Sequence, residues 1–154
     1  MSAIFWELCD LLDYLLGDFV YTPAIQSSVA QSNFFRSPLM IHQYLKGCSF
    51  LPDILDHSTE LYKSRFVTLK HLALVMAERD TMIFPKETAY FGAFADGSWR
   101  RVIPAAHQPW YESIGLKELE ESGRLTALST PGDHLRFSQR DLNEWIDRFF
   151  LSGQ

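Results

Sequence analysis

The stretch RLTALSTPGDHLRFSQRDLNEWIDRFF, residues 124–150, has the pattern of a strand, a turn and a helix in succession. RLTALST is a strand candidate, and the PGDH that follows it is a turn. Ser138 and Asp141 fit a capping box, and one face of the next segment is apolar, with Leu142, Trp145, Ile146 and Phe149. We therefore predict a strand over RLTALST and a final helix that begins after Ser138.

A similar unit precedes this one in the chain. Ser58 fits an N-cap, and the apolar residues after it recur at helical spacing, which predicts a helix to about Lys70. HLALVMA, residues 71–77, then fits a strand buried on both faces. The short predicted helix LKELEES ends at Gly123, before the second strand. Helices and strands thus alternate, which favours parallel strands joined by crossovers and an α/β fold.

The other segments have weaker patterns. Apolar residues at helical spacing predict an amphipathic helix over residues 4–16. We expect a short helix within 21–38 and a short helix or buried connection over 39–47. A loop is expected over 48–58, because Pro52 disfavours helix at Leu51. Residues 81–115 are expected to be irregular, with short helices. No internal repeat or linker divides the chain, so we expect a single domain.

The composition limits the classes of function. The 154 residues are 47% apolar and 14% aromatic, which is typical of a globular chain with a sizeable core. A net charge of -5 lacks the basic field that neutralises phosphates, so nucleic acid is not an expected partner. No apolar run is long enough to span a membrane, and acidic residues interrupt the apolar start, which argues against an export signal. Neither the two cysteines nor the histidine spacing fits a metal site, and no cofactor is expected.

Two polar side chains follow the predicted strands. Asp80 comes just after HLALVMA, and His134 comes just after RLTALST. The carboxyl ends of neighbouring parallel strands lie at one edge of a sheet, where functional groups gather. A carboxylate that accepts from Nδ1–H fixes the imidazole tautomer and leaves Nε2 to take a proton from a nucleophile. We therefore predict that His134 is a general base and that Asp80 is its orienting acid.

Other assignments remain open at this stage. An Asp or His in a loop is often a turn or capping residue, and Asp133 could replace Asp80 as the acid, although adjacent loop residues rarely face each other. The remaining histidines do not follow a predicted strand directly, and we expect structural or solvated roles for them: His42, His57, His71 and His107. An acid followed by a histidine is the chain order of α/β-hydrolases, whose nucleophile comes earlier on G-x-S-x-G. The sequence contains no such motif, and GCSFL, with Cys48, lacks its second glycine.

Several motifs resemble those of one family, the palmitoyl-protein thioesterases, which are serine hydrolases of the α/β-hydrolase fold. IGLKELEESGRLTALSTPGDHLRFS, residues 114–138, is similar to the family's run of G-L-K-E, G-x-L and G-D-H-L. ERDTMIFPKETAYFGAF, residues 78–94, resembles its N-D-x-x-V-x-P stretch followed by F-G-F. LCDLLDYLL and FLPDIL are similar to segments of its helical insertion. The resemblance extends from about Phe5 to Leu151 and corresponds to the C-terminal half of a family member.

The resemblance implies a fold and a site. It implies a partial α/β-hydrolase fold, with C-terminal parallel strands and flanking helices over about 58–154 and a helical cap that borders an acyl groove over about 1–57. The family's catalytic acid falls on Asp80 and its catalytic histidine on His134. Aromatic and aliphatic side chains of the cap either line the groove or belong to the core: Phe34, Phe35, Phe50 and Leu51. The nucleophile and the oxyanion-hole donors belong to the front half of the family, so this chain is not expected to form an acyl-enzyme by itself.

The resemblance also implies a substrate and a location. The expected substrate is a palmitoylated protein or another long-chain acyl thioester, and the expected location is lysosomal or secreted. The first hypothesis is a thioesterase fragment that is active when joined to its nucleophile-bearing half. The alternative is a non-catalytic module that binds acyl lipids or another protein. Because half a sheet leaves an open edge and apolar faces, we also expect self-association.

Overall fold

The computed structural model describes residue 17, residues 19–57 and residues 59–151, and they form a mixed α/β structure with parallel strands. The predicted helix over 4–16 lies outside the described residues. The helices are α1 Pro23–Ser28, α2 Ile41–Gly47, α3 Glu60–Phe66, α4 Trp110–Ser113, α5 Leu116–Glu121 and α6 Gln139–Ile146. Three 3-10 turns, Ala30–Phe34, Lys86–Tyr90 and Ala105–His107, and two π-helical turns, Pro52–Asp56 and Asp147–Leu151, lie between or after them. None of the described helices is long and apolar enough to cross a membrane.

Within the described part of the chain, four strands form two separate pairs. β1, Leu72–Ala77, lies parallel to β4, Leu125–Thr130, in a register that runs from Leu72 opposite Leu125 to Ala77 opposite Thr130. The predicted parallel pairing is therefore confirmed. β2, Ala93–Phe94, and β3, Val102–Ile103, form a short antiparallel pair inside the segment expected to be irregular. Two-residue strands are too short to produce a periodic signal in the sequence.

The prediction that β1 is buried on both faces is wrong. Side-chain burial alternates along the strand, so that Leu72 and Leu74 are half-buried whereas Ala73 and Val75 are exposed. Leu72 packs with Leu125 of β4 against a core cluster that contains Trp110. A short apolar run fits a strand with one covered face as well as one with two, so the sequence could not distinguish them.

The bounds of α3 also differ from the prediction. The helix begins at Glu60, where Thr59 is the N-cap and its hydroxyl accepts from Tyr62 N–H; Ser58 lies outside the described residues. It ends at Phe66 and not near Lys70. The Arg124 guanidinium donates to the carbonyl oxygens of Val67, at 2.6 Å, and Leu69, at 2.8 Å. A side chain from just before β4 thus satisfies carbonyl groups that would otherwise need another helical turn.

Residues 51–56 are helical, although a loop was predicted there. Leu51 has φ -60° and ψ -43°, and Pro52 begins the π-helical turn. Proline is tolerated at the first turn of a helix, because the N–H that it lacks has no helical partner there. His57 N–H donates to Pro52 O at 2.7 Å and closes the turn. The prediction failed because the preference against helix before proline is only a tendency.

The described residues form two apolar core clusters, and the Arg36 side chain connects them. One contains Tyr21, Met40, Tyr44 and Cys48, and the other contains Ala93, Trp110, Ile114 and Leu116. The Arg36 guanidinium lies 5.6 Å from the Tyr44 ring centre and 5.5 Å from the Trp110 ring centre, which are cation-π distances. It also donates to Phe94 O at 3.2 Å. The side chain of Arg36 therefore connects the described residues before position 57 to the part of the chain that follows β1.

The predicted capping box at the start of α6 is confirmed. Ser138 Oγ accepts from Asp141 N–H at 3.1 Å, and Asp141 Oδ2 accepts from Ser138 N–H at 2.8 Å. These two hydrogen bonds satisfy backbone donors that have no partner inside the helix. The Trp145 ring packs 5.5 Å from Phe137, in the loop before the helix. This loop also carries His134, so α6 is packed beside the candidate site.

Candidate active site

The site lies where β1 and β4 end together. Ala77 and Thr130 are the last paired residues, and the loops that follow them carry Asp80 and His134. Asp80 Oδ2 and His134 Nδ1 are 2.8 Å apart. The predicted contact between these two side chains is therefore present. Its cause is the parallel pairing, because parallel neighbours bring their carboxyl ends to the same edge.

The other oxygen of Asp80 is held by its own loop. Asp80 Oδ1 accepts from Met82 N–H at 2.9 Å and from Ile83 N–H at 2.8 Å. Partial burial by itself would raise the pKa of the Asp80 carboxyl. The hydrogen bonds from His134, Ile83 and Met82 outweigh this effect, and the pKa is lowered from its ordinary value of 3.8. Asp80 is therefore ionised at neutral pH, and the hydrogen bonds to Oδ1 fix its orientation independently of the contact between Oδ2 and His134.

The protonation of the imidazole follows from this contact. An ionised carboxylate can only accept a hydrogen bond, so His134 Nδ1 carries the hydrogen that faces Asp80. In the neutral imidazole, Nε2 is then the nitrogen with the free electron pair. The side chain of Asp80 is 9% exposed and that of His134 is 26% exposed. The arrangement suits a general base whose acid partner stabilises the imidazolium and whose second nitrogen accepts a proton.

Asp133, the alternative acid, lies elsewhere. Its Oδ1 accepts from His134 N–H at 2.7 Å and from Thr81 N–H at 2.8 Å. The Thr81 hydroxyl is 2.9 Å from both oxygens of Asp133. These hydrogen bonds lower the pKa of the Asp133 carboxyl. Asp133 thus binds the backbone of His134 and the loop after β1, whereas Asp80 binds the ring.

An open cleft of about 420 Å³ lies beside the pair. Apolar side chains form much of its wall: Val75, Ala77, Ile83, Ala89, Leu135, Phe137 and Trp145. Asp80, His134 and Lys86 are among its polar lining residues. Lys86 Nζ donates to Glu78 O at 2.8 Å, which holds the ammonium group against the end of β1. The cleft therefore combines an acid-base pair with an apolar wall, a combination typical of sites for apolar small molecules.

The remaining histidines and Cys48 take no part in this arrangement. His71 Nε2 lies 2.8 Å from Thr126 Oγ1, and its ring stacks at 5.0 Å on Phe149. The other histidines are exposed: His42, His57 and His107. Cys48 is buried in the first core cluster, and its Sγ lies 3.4 Å from Asn33 O. Among the described residues, no three side chains of His, Cys, Asp or Glu are grouped as a metal site would require.

Sequence reasoning missed two contributors to the site. Thr81 was not singled out, although a hydroxyl residue directly after an acid at a strand end is a signal for a loop hydrogen bond. Gly132 was seen only as a turn residue. A Cβ at this position would lie 2.2 Å from Arg136 O, so the loop that carries His134 is too tight for a larger residue. The turn pattern of the sequence predicts neither the hydrogen bond of Thr81 to Asp133 nor the close approach of Gly132 to Arg136 O.

Parallel strands whose carboxyl ends present an acid and then a histidine are consistent with a partial α/β-hydrolase fold. A family model described as palmitoyl protein thioesterase matches residues 3–134, and the chain belongs to this family. The resemblance seen in the sequence motifs is thus confirmed, and the family implies the hydrolase fold.

Curated relatives agree with this assignment. The chain is 32% identical over 149 residues to palmitoyl-protein thioesterase 1 of Caenorhabditis elegans, covering 94% of this chain and 50% of the relative. It is 32% identical over 128 residues to palmitoyl-protein thioesterase 3 of Dictyostelium discoideum, covering 80% and 44%. It is 29% identical over 105 residues to lysosomal thioesterase PPT2-B of Xenopus laevis, covering 64% and 36%. The chain therefore spans half or less of the length of these relatives.

Proposed function

We propose that this chain supplies the acid-base pair of a palmitoyl-protein thioesterase that hydrolyses long-chain acyl thioesters. His134 is the general base and Asp80 is its orienting acid. The nucleophile is a serine that residues 1–154 do not present in a G-x-S-x-G element, and it comes from a segment joined to the chain or from a second chain. The observation that carries the proposal is the 2.8 Å contact between Asp80 Oδ2 and His134 Nδ1 at the shared end of two parallel strands.

The proposed reaction has two steps. His134 Nε2 takes the proton of the serine hydroxyl as the serine oxygen bonds to the thioester carbon, and the imidazolium then gives that proton to the departing thiolate. Water next attacks the acyl-enzyme, again losing a proton to Nε2, and the regained proton returns to the serine oxygen as the fatty acid leaves. Asp80 stabilises the imidazolium in both steps, since its pKa is lowered and the group stays ionised.

Residues 1–57 form, in this proposal, the cap that borders the acyl chain, and residues 58–154 form the end of the hydrolase core. Two aromatic side chains of the cap support this division. Phe34 is 62% exposed and Phe50 is 43% exposed, and their rings meet edge to face at 5.3 Å. By contrast, Phe35 and Leu51 pack against the first core cluster. Burial of each methylene of an acyl tail is worth about 0.8 kcal/mol, so such exposed rings suit an acyl chain.

A lysosomal location fits the proposed chemistry. One relative is named a lysosomal thioesterase. The lowered pKa of Asp80 keeps its carboxylate ionised in an acidic compartment. Its orienting hydrogen bond to His134 Nδ1 then persists at low pH. We propose that the protein acts in the lysosome or after secretion.

The test joins the chain to the front half of a family member that carries G-x-S-x-G and measures thiol release from a palmitoyl thioester. We expect turnover in the joined enzyme. Asp80→Asn should lower kcat by roughly 10⁴-fold, and His134→Ala by a comparable factor, because the base or its tautomer is lost. His107→Ala, at an exposed histidine of the 105–107 turn, is the matched control and should leave kcat unchanged. Turnover that survives the Asp80 and His134 substitutions would refute the proposed roles.

The apolar wall of the cleft also supports a second function, the binding of acyl lipids without catalysis. The cleft is lined by Val75, Phe137 and Trp145, and these contacts do not depend on a nucleophile. In this case the 154-residue chain by itself should bind a fluorescent fatty acyl probe, and Trp145→Asp should weaken binding more than His134→Ala does. A joined enzyme that turns over the thioester would favour the first function.

A further inference from the structure

Three consecutive residues after β1 contact the loop after β4, each at a different point. Arg79 N–H donates to Gly132 O at 3.1 Å, and Arg79 Nε donates to Pro131 O at 2.6 Å. Asp80 contacts the ring of His134. Thr81 contacts the carboxylate of Asp133. The two loops thus continue the strand ladder beyond Ala77 and Thr130 with hydrogen bonds made partly by side chains.

The Thr81–Asp133 contact reaches the histidine through its backbone. Asp133 Oδ1 accepts from Thr81 N–H, from the Thr81 hydroxyl and from His134 N–H, at 2.8, 2.9 and 2.7 Å. One carboxylate oxygen therefore holds the residue after Asp80 and the backbone of His134 together. Thr81 directly follows Asp80 in the chain, and Asp133 directly precedes His134. A change in the link would move one member of the pair relative to the other.

The backbone beyond His134 needs such a restraint. Leu135 has φ 53°, in the left-handed region that side chains with a Cβ seldom adopt. Leu135 is also 75% exposed, so burial of its side chain does not offset this conformation. Arg136 N–H donates to Asp133 O at 2.9 Å and closes the turn on the same residue. Asp133 is therefore the residue from which both the His134 peptide and the following turn are held.

We propose that Thr81 and Asp133 are positioning residues that hold His134 against Asp80. They act through the backbone of His134 and touch neither the ring nor a substrate. The inference rests on the proposed function for its catalytic consequence. Its geometric content, that the Asp80–His134 hydrogen bond depends on the Thr81–Asp133 contact, stands independently of turnover. The closing experiment therefore reads the hydrogen bond and the activity separately.

The geometric readout is the proton on His134 Nδ1, observed by NMR in the 154-residue chain and assigned by its loss in His134→Gln. A hydrogen bond to a carboxylate protects this proton from exchange and shifts its resonance downfield. Thr81→Val removes the hydroxyl at nearly constant volume, and we expect the resonance to shift upfield and broaden into exchange. Thr81→Ser keeps the hydroxyl and should keep the resonance. A folded Thr81→Val chain with an unchanged resonance would overturn the proposal.

A second pair of variants decides the matter if Thr81→Val does not fold. Asp133→Ala removes every acceptor of the link, and the resonance should be lost. Asp133→Asn keeps Oδ1 as an acceptor for His134 N–H, and its amide can donate to the Thr81 oxygen, so the resonance should persist. Ser138→Ala is the matched control, because it breaks another hydroxyl-carboxylate contact, 2.7 Å long, at the start of α6. Loss of the resonance in Ser138→Ala would overturn the proposal, since any destabilisation would then produce the effect.

The activity readout separates this inference from the proposed function. In the joined enzyme, Thr81→Val should lower kcat by up to about 100-fold with little change in KM, because the base is displaced and the acyl site is not. Thr81→Ser should restore most of kcat. If Asp80→Asn and His134→Ala retain turnover while Thr81→Val loses the resonance, the proposed function fails and the positioning link remains. If Thr81→Val keeps both the resonance and kcat, the positioning link fails and the function remains.

Discussion

Replacement of Gly132 by alanine tests how closely the backbone of one loop determines the geometry of the acid-histidine pair. A Cβ on Gly132 would lie 2.2 Å from Arg136 O and 3.0 Å from Arg136 Cβ. The first distance must grow to at least 3.0 Å, so one side of the turn has to move by 0.8 Å or more. Both sides of the contact are backbone or lie next to it, and rotation of a flexible side chain cannot relieve it. The loop between Gly132 and Arg136 contains Asp133 and His134, so the displacement falls on the pair.

We expect two measurable results from Gly132→Ala. Overpacking of this kind costs about 1–3 kcal/mol, which urea unfolding of the chain should detect. A misplacement near 1 Å costs up to about 100-fold in rate, so kcat of the joined enzyme for a palmitoyl thioester should fall by that order. The control is Gly123→Ala. Gly123 has φ 69° and open space at its Cβ, so alanine there strains the backbone by about 1–2 kcal/mol without touching His134. Equal kcat in the two variants would refute the reasoning.

Three further predictions concern pH, the α6 cap and self-association. In the folded chain the pKa of Asp80 lies below its ordinary value of 3.8, so the ionised carboxylate stabilises the fold above pH 3.8, and this stabilisation is lost as the pH falls through the lowered pKa. In urea unfolding, the wild-type chain should therefore be less stable at pH 3 than at pH 6, and Asp80→Asn should narrow this difference. An unchanged difference would contradict the prediction. Ser138→Ala should cost about 1 kcal/mol by removing one half of the capping box, measured against Ser138→Thr, which keeps the hydroxyl. The chain should dimerise with rising concentration in sedimentation experiments. Among the described residues β1 pairs with no strand except β4, so its other edge is open, and the β1 residue Val75 is 37% exposed. Val75→Lys should shift the equilibrium towards monomer, whereas a wild-type chain that stays monomeric would argue against an adhesive sheet edge.

Elements with a local cause could be predicted from the sequence. The capping box at Ser138 and Asp141 is encoded by two residues one turn apart, and the structure contains both of its hydrogen bonds. β4 was predicted over RLTALST, which ends at turn residues, and it occupies Leu125–Thr130. The capping hydrogen bonds join neighbours in the chain. The hydrogen bonds of β4 run to β1, but the extent of β4 is marked by its own residues and by the turn that follows, so a short window of sequence was enough in both cases.

Elements that depend on distant residues could not be predicted. The end of α3 is set by Arg124, which is 57 positions from Val67. The exposure of Val75 depends on which layers cover β1, and no pattern within the strand reports this. The β2–β3 pair depends on two segments that meet at Ala93 and Ile103. Each of these features follows from packing between segments, which propensity and periodicity do not describe.

The candidate site combines both kinds of information. The residue types and their place after two strands pointed to Asp80 and His134, and the family motifs named the same positions. The choice between Asp80 and Asp133 as the partner of the ring could not be made from chain order. It follows from the parallel register that ends at Ala77 and Thr130, which sets Asp80 beside the ring and Thr81 beside Asp133.

The amino-acid order therefore determined which side chains stand at the ends of the two strands and where the final helix begins, because these depend on adjacent residues. The tertiary structure decided which carboxylate faces the imidazole and which face of β1 stays open. These features depend on distances between atoms that are far apart in the chain, and such distances are set only when the strands pair in one register.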